Sequence, residues 1–341
     1  MTVTEIAKLA GVSIGTVDRV IHNRGRVAPV TKQKVQKIID EYDYQPNLIA
    51  RHLKRQTHYK IGVLLPELKS GYGYWETMYN SMIETAEKEF SAFSFSVEPY
   101  FFKRPAEESL RKQFNAMVES ECDAYIIAPV MLSETLELLY SIEDIKPYCF
   151  VDSPLPDASP VVTIVQNPYK AGYLAGRLTE MSAGYKKGSY VVLESFNKAF
   201  NLSERARGFC DWFRQKSKSY KPICWLAKDF SNDGIRVDVK QILDSVKDLA
   251  GICTVSVEVQ FVADEIIKAN RKADVAVVGF DLVEGNYKAL KEGGIDCLIS
   301  QQPQEQGRIA VRQLFRTLIY EETVAPEIEI PAEIFFKENL I

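Results

Sequence analysis

Apolar residues in the first 45 positions recur at helical spacing. Thr2-Val3-Thr4-Glu5 has the S/T-x-x-E spacing of a capping box, and Ile6, Leu9 and Ala10 follow on one face until Gly11. Ser13 is a good N-cap for a second helix carrying Val17, Val20 and Ile21 at core spacing. Asn23-Arg24-Gly25 breaks it, and a third helix is predicted over 31–42 with Val35, Ile38 and Ile39 inward. Three short helices with a glycine turn between the first two form a helix-turn-helix pattern. From Lys60 the pattern changes to short apolar runs alternating with amphipathic stretches. Strands are predicted at 61–65, 95–102, 124–128, 148–151, 161–165, 190–193, 223–227, 251–255 and 275–279. Helices are predicted at 75–90, 169–181 and 204–216. Such alternation predicts parallel sheets covered on both faces, and its length predicts two lobes.

Charge divides the chain at the same place. The first 57 residues hold ten Lys/Arg against five acids, a surplus of +5; with −4 overall, the other 284 carry −9. A basic module points to a polyanionic partner, an acidic body to a solvated surface. All three histidines (His22, His52, His58) lie in or beside the basic module. The body is thereby excluded from Ser-His-Asp and Cys-His chemistry and from zinc sites with imidazole ligands. The six cysteines are dispersed without a C-x-x-C and are expected to be reduced core thiols. Neither a secretory signal nor an apolar run of bilayer length is present, so a cytoplasmic protein without a membrane partner is expected. No Gly-x-Gly-x-x-Gly or Gly-Lys-Ser/Thr loop is present: Gly71-Tyr72-Gly73-Tyr74-Trp75-Glu76 lacks the third glycine. No cofactor is expected.

The run Thr4-Glu5-Ile6-Ala7 through Ala10-Gly11-Val12-Ser13, then Thr16-Val17 and Arg19-Val20, resembles the headpiece of the lac/gal repressor family. Val27, Thr31 and Tyr44-x-Pro46-Asn47-x-x-Ala50-Arg51-x-Leu53 continue the match in register. The resemblance implies double-stranded operator DNA as partner, read by a homodimer. A recognition helix brings its N-terminal residues to base edges in the major groove. Here those are Ile14 and Gly15, with Arg19 one turn on, a residue suited to guanine O6 and N7. Thr2, Ser13, Thr16, Asn23 and Thr31 suit phosphate contacts. Many relatives carry hydrogen-bonding side chains where Ile14 and Gly15 stand and a serine at Asp18, so the resemblance does not fix the operator sequence. Asn47 is placed to cap a short hinge helix through Lys54, with Arg51, Lys54 and Arg55 suited to phosphates; the resemblance implies Ala50 as a further DNA-binding position and Leu53 as a minor-groove wedge.

The body resembles the two-lobed sugar-binding fold shared by these repressors and ribose-type periplasmic receptors. The match rests on Asn167-x-x-Lys170-Ala171-Gly172, Arg205-x-x-Gly208-Phe209, Gly279-Phe280-Asp281 and Gln301-x-Pro303-x-x-x-Gly307. The resemblance implies sugar contacts at Arg205, Asp281 and Gln301, with Asn167 and Ser256 at further family positions. Tyr74 and Trp75 stand where relatives place aromatic rings, and Asp152 follows the strand at 148–151. Each also has a plainer role: Tyr74 and Trp75 as core, Arg205 as a surface arginine, Gln301 as a strand-end cap, Asp281 as a helix cap. The chain departs from the receptors at Pro129-Val130-Met131, Gln166 and Ser256. A retained arginine with fewer acids suits a different monosaccharide, or a sugar acid paired with Arg205.

The expected molecule is therefore α/β. An all-α helix-turn-helix headpiece (1–46) and hinge (47–57) precede a two-lobed, doubly wound parallel-sheet, periplasmic-binding-protein-like body (58–341). The lobes are expected at about 58–162 with 297–325 and 163–296 with 326–341. The function expected is a sugar-controlled transcription regulator, a repressor of carbohydrate metabolism and not an enzyme. The competing classes are a sugar-processing enzyme and a sugar receptor with a regulatory helical module.

Overall fold

A computed structural model describes residues 1–21, 24–42, 44, 58–68, 73–195, 200–227 and 231–340. Asn23, Asn47, Ala50, Arg51, Leu53 and Lys54 lie outside the described residues. The chain divides into two units, Met1–Thr57 and His58–Ile341.

In the first unit, α1 (Val3–Ala10) begins with the expected capping box. Thr2 N–H donates to Glu5 Oε2 at 2.7 Å, and Glu5 N–H donates to Thr2 Oγ1 at 3.3 Å. Gly11 ends the helix at φ 64°, a left-handed conformation that glycine adopts without a Cβ penalty. Ser13 Oγ accepts from Thr16 N–H at 3.2 Å at the head of α2 (Ile14–Ile21). The third helix, α3 (Pro29–Glu41), starts two residues earlier than its apolar spacing suggested. Pro29 at its first turn supplies a preset φ and lacks an N–H that would otherwise be orphaned. Ile6, Ala7, Ala10, Val17, Val20 and Val35 close a core between the three.

The second unit contains two sheets. One joins β1 (Tyr59–Pro66), β2 (Phe95–Phe102), β3 (Ala124–Ile127), β4 (Tyr148–Val151), β5 (Val162–Val165) and β11 (Glu327–Glu329) in the order β11-β5-β4-β3-β1-β2. The other joins β6 (Gly188–Ser195), β7 (Tyr220–Ala227), β8 (Leu249–Thr254), β9 (Ala276–Phe280), β10 (Cys297–Ser300) and β12 (Glu333–Phe335) in the order β12-β10-β9-β8-β6-β7. All neighbours run parallel except β10 and β12. The first sheet is covered by α4 (Tyr74–Glu89), α5 (Glu107–Glu119), α6 (Leu132–Tyr140) and, from the far end of the chain, α12 (Pro303–Ile319). The second is covered by α7 (Pro168–Ser182), α8 (Phe200–Arg214), α9 (Asn232–Ser245), α10 (Val259–Lys268) and α11 (Glu284–Lys291).

The expected lobe limits need correction. Residues 163–165 and 327–329 belong to the first lobe, where β5 pairs with β4 and β11 with β5. Residues 297–300 belong to the second, where β10 pairs with β9. A strand stays with the partner that satisfies its backbone groups, and these partners are remote in sequence. The chain thus crosses between lobes three times: after β5, after β10, and between β11 and β12. Of the cysteines, five are buried as expected and Cys224, on the edge strand β7, is exposed.

Two helices of the second lobe meet at backbone distance. A Cβ on Gly172 would lie 1.9 Å from the Arg205 carbonyl oxygen, and one on Gly208 would lie 2.2 Å from that of Tyr169. The turn of α8 that carries Arg205 is therefore seated directly on α7. Gly172→Ala should force the helices apart and cost about 1–3 kcal/mol, the usual penalty of overpacking. Urea unfolding of the variant checks this; unchanged stability would refute backbone contact at that turn.

Candidate functional site: a helix face and an interlobe cleft

In the first unit, Val17 and Val20 turn α2 inward, which leaves Ile14, Gly15 and Arg19 exposed on the opposite face. Ile14 is 53% exposed. The Arg19 side chain runs beside Gly25, where an added Cβ would lie 3.6 Å from its Cδ. Ser13 and Thr16 share a hydroxyl hydrogen bond of 2.9 Å, and the Thr2 hydroxyl is engaged in the capping box. Thr31 is half-buried on α3.

In the second unit, six of the eight expected effector residues gather where strand ends of the two lobes face each other. Asp152 follows β4 in the first lobe and Asp281 follows β9 in the second; both are buried and left-handed, with φ 71° and 63°. Aspartate tolerates this conformation better than most side chains. Tyr74 OH donates to Asp152 Oδ1 at 2.8 Å, and Ser153 Oγ donates to Asp152 Oδ2 at 2.8 Å. From the opposite lobe, Asn201 Nδ2 donates to Asp152 Oδ2 at 3.2 Å. Burial, with the Asp152 carboxylate next, pushes the Tyr74 phenol well above its ordinary value, so it remains a donor. Trp75 stands edge-on to Tyr74 at 4.9 Å. Arg104, from the loop after β2, places its guanidinium 6.0 Å above the Trp75 ring.

Arg205 is 2% exposed, which excludes the surface-arginine reading. Its Nη1 donates to the Val255 carbonyl at 2.9 Å, its Nη2 donates to Gln301 Oε1, and its guanidinium lies 4.4 Å from the Phe280 ring centre. Gln301 in turn donates from Nε2 to Asp281 Oδ2 at 2.7 Å and from its backbone N–H to Asp281 Oδ1 at 3.1 Å. Asp281 caps nothing: α11 starts after Val283. Two buried groups here have no hydrogen-bond partner, Arg205 Nε and, on the first crossover, Gln166 Oε1. An unpaired buried donor or acceptor is costly, and a hydroxyl-bearing ligand relieves both kinds.

Two further expected residues have local partners. Asn167 is the N-cap of α7, its Oδ1 accepting from Lys170 N–H at 3.0 Å. Ser256 donates its hydroxyl to Glu258, whose carboxyl burial raises and Ser256 and Arg104 lower. Sequence reasoning missed Ser153, Asn201, Arg104 and Gln306. Asn201 had a readable signal, because it stands four residues before Arg205 and hence on the same helix face.

Comparison with known proteins places these two arrangements. A model of the bacterial regulatory proteins, lacI family, matches residues 2–47, and a periplasmic binding protein domain model matches residues 61–322. The chain joins a lacI-family helix-turn-helix domain to a body that belongs to the periplasmic binding protein domain family. The lacI-family relatives include the HTH-type transcriptional regulator RegA of Clostridium saccharobutylicum, 24% identical over 100% of this chain and 99% of that protein. The ribose operon repressor of Lactococcus lactis subsp. lactis is 22% identical over 99% and 98%. In fold the body is similar to a LacI transcriptional regulator from Bacteroides fragilis (TM-score 0.73, 23% identity, 83% of this chain and 98% of that one). It is also similar to a solute binding protein from Agrobacterium radiobacter in complex with D-arabinose (TM-score 0.72, 18% identity, 83% and 96%). Among the described residues no helix is long and apolar enough to cross a membrane.

Burial pushes Asp281 from 3.8 up to about 6, against the opposing pull of Arg205 and the two Gln301 hydrogen bonds. The folded periplasmic-binding-protein-like body thus holds a proton at pH values where the unfolded chain has released it. This contribution to stability is full below about pH 4 and is lost as pH rises through about 6, worth roughly 3 kcal/mol at 1.36 kcal/mol per unit. Asp281→Asn should flatten that part of the stability profile, as read by urea unfolding between about pH 4 and 7. A profile identical to the parent chain would refute the assignment.

Proposed function

We propose that this lacI-family regulator binds operator DNA as a cytoplasmic homodimer, represses genes of carbohydrate metabolism, and responds to a monosaccharide held between its lobes. The cleft reading rests on one observation above the rest. Carboxylates at equivalent strand ends of the two lobes, Asp152 and Asp281, converge with Tyr74, Gln301 and a buried Arg205. Carboxylates accept from hydroxyls, an arginine N–H donates to them, and aromatic rings pack on a sugar's apolar face. A neutral sugar is favoured over a sugar acid. Both terminal nitrogens of Arg205 already donate within the protein, and the neighbouring Asp281 repels a second carboxylate. The absence of histidine from residues 59–341 favours binding over turnover. The relatives' names point the same way: one is a ribose operon repressor, and one structural neighbour holds D-arabinose.

On the DNA side, the +5 charge of residues 1–57 and the exposed face of α2 support phosphate neutralisation and base reading. Operator affinity should fall linearly with the logarithm of salt, with slope about −0.9 per phosphate neutralised. Arg19→Ala should lose about 1–3 kcal/mol of discrimination at one base pair. Leu53→Ala should weaken operator binding severely while leaving the body folded. Fluorescence anisotropy on operator candidates selected from random duplexes measures all three. Binding independent of salt, or equally tight in Leu53→Ala, would overturn this half of the reading. For the other half, thermal shift is screened against neutral monosaccharides, with D-ribose, D-arabinose and D-allose first, and against uronates. A rise in unfolding temperature with neutral sugars alone is expected, because a ligand of the native state stabilises it. Stabilisation by uronates alone, or turnover of a bound sugar, would overturn it.

A further inference from the structure

The inner face of α12 carries Pro303, Gly307, Ala310, Val311 and Leu314, all buried, and among them Gln306 at 0% exposure. A glutamine in such a row is destabilising unless its amide is fully bonded. It is, and its partners all belong to the cleft. Gln306 Oε1 accepts from the Asp152 backbone N–H at 2.9 Å. Gln306 Nε2 donates to the Gln301 carbonyl at 2.9 Å and, more distantly, to Tyr74 OH at 3.4 Å.

These partners lie on different sides of a crossover. Tyr74 and Asp152 are first-lobe groups. Gln301 leaves the second-lobe strand β10, and its side chain is held by Asp281 and Arg205 of that lobe. Gln302, the next residue, sits at φ 51°, so the chain turns at the point where it enters the first lobe. Gln306 itself cannot drift, because α12 is pressed on α4. A Cβ on Gly307 would lie 2.5 Å from the Met78 carbonyl oxygen. One rigid helix pair therefore fixes Tyr74, Gln306 and, through its amide, the left-handed Asp152 backbone.

We propose that Gln306 is a positioning residue that ties the β10–α12 crossover to the first-lobe half of the cleft, so that Asp152 and Tyr74 set the angle between the lobes. This rests on the reading of the cleft as the effector site, and it adds how that site is coupled to lobe movement. Coupling of this kind needs an element that both sites bias, and a crossover carbonyl and a strand-end amide held by one side chain supply it.

The test uses the full chain, dialysed free of small molecules, so its outcome is independent of which sugar or operator binds. In a Cys224→Ser background, spin labels are placed at Glu108→Cys on α5 and Asp233→Cys on α9, both exposed and on different lobes. The interlobe distance distribution and the exchange of the Asp152 amide are then measured. Gln306→Met should broaden the distribution toward longer distances and speed exchange of the Asp152 amide at least about tenfold, as loss of a protecting hydrogen bond of about 1.4 kcal/mol requires. Measured at alkaline pH, where the introduced carboxyl is ionised, Gln306→Glu keeps an acceptor for Asp152 N–H but has no proton to donate to the Gln301 carbonyl. It should broaden the distances and leave that amide protected. Distances unchanged in Gln306→Glu, whatever happens to its melting temperature, would reduce Gln306 to a core-filling residue and overturn the proposal. Because Gln306→Glu replaces one polar side chain with another of the same size, it serves even if Gln306→Met fails to fold.

Discussion

The body is organised around one buried cation. Arg205 is out of contact with water, and a guanidinium in that position persists only if charge and hydrogen bonds compensate its lost hydration. The compensation comes from places far apart in the chain: the carbonyl at the end of β8, the face of Phe280 at the end of β9, and Gln301 after β10. Gln301 then passes the interaction to Asp281, whose carboxyl would otherwise be an uncompensated buried charge. Three strand ends of one sheet are thus held at a fixed spacing by a side chain from α8. That helix can hold it there because Gly172 and Gly208 let α7 and α8 touch backbone to backbone. Glycines that read as family markers have a mechanical purpose, which is to set the depth of the arginine.

What was legible in the sequence was what local interactions decide. The capping box at Thr2 and Glu5, the glycine stop at Gly11 and the Ser13 cap are contacts within four residues, and each is present. The strand–helix alternation was legible for a related reason, since buried parallel strands must be nearly continuous apolar runs. Lobe membership was less so. Nothing within β5 says that it pairs with β4 rather than opening the second lobe, and nothing within β10 says that it pairs with β9. Both facts are properties of partners rather than of the strands. The same distinction runs through the cleft. Asp152 and Asp281 were readable because ligands of such folds bind beyond the carboxyl ends of strands. Asn167 resembled a family contact, yet its carbonyl oxygen caps α7, a local bond that competes with any ligand. Gln306 went unread because its spacing is that of a core position. The signal was the chemistry out of place, a polar residue where the period requires an apolar one.

The two left-handed aspartates give the cleft its logic. Each follows a central strand of its own lobe, so the sheets present a carboxylate from either side at matching positions. A left-handed non-glycine residue is a strained choice, held by its surroundings. Here those surroundings are Gln306 on the Asp152 amide and the amide of Asn286 on the Asp281 carbonyl. Neither carboxylate is equally satisfied. Asp152 receives three donors, one of them Asn201 from across the cleft, whereas both donors to Asp281 come from Gln301.

That inequality decides how such a body can respond to a ligand. A ligand shifts an equilibrium only by the difference between its interactions in the two states, so a site already complete within one lobe has no leverage. The side chains of Asp281, Arg205 and Gln301 are bonded within the second lobe, apart from Arg205 Nε. In the proposed effector site they would contribute affinity that depends little on the separation of the lobes. Asp152 differs, because one of its donors, Asn201, belongs to the opposite lobe. A hydroxyl that replaces Asn201 there competes with closure, while one that reaches both Asp152 and Arg205 Nε rewards it. In the proposed effector site, the direction of the response would then follow from which oxygens a ligand presents to Asp152, and the depth of binding from what it presents to the second lobe.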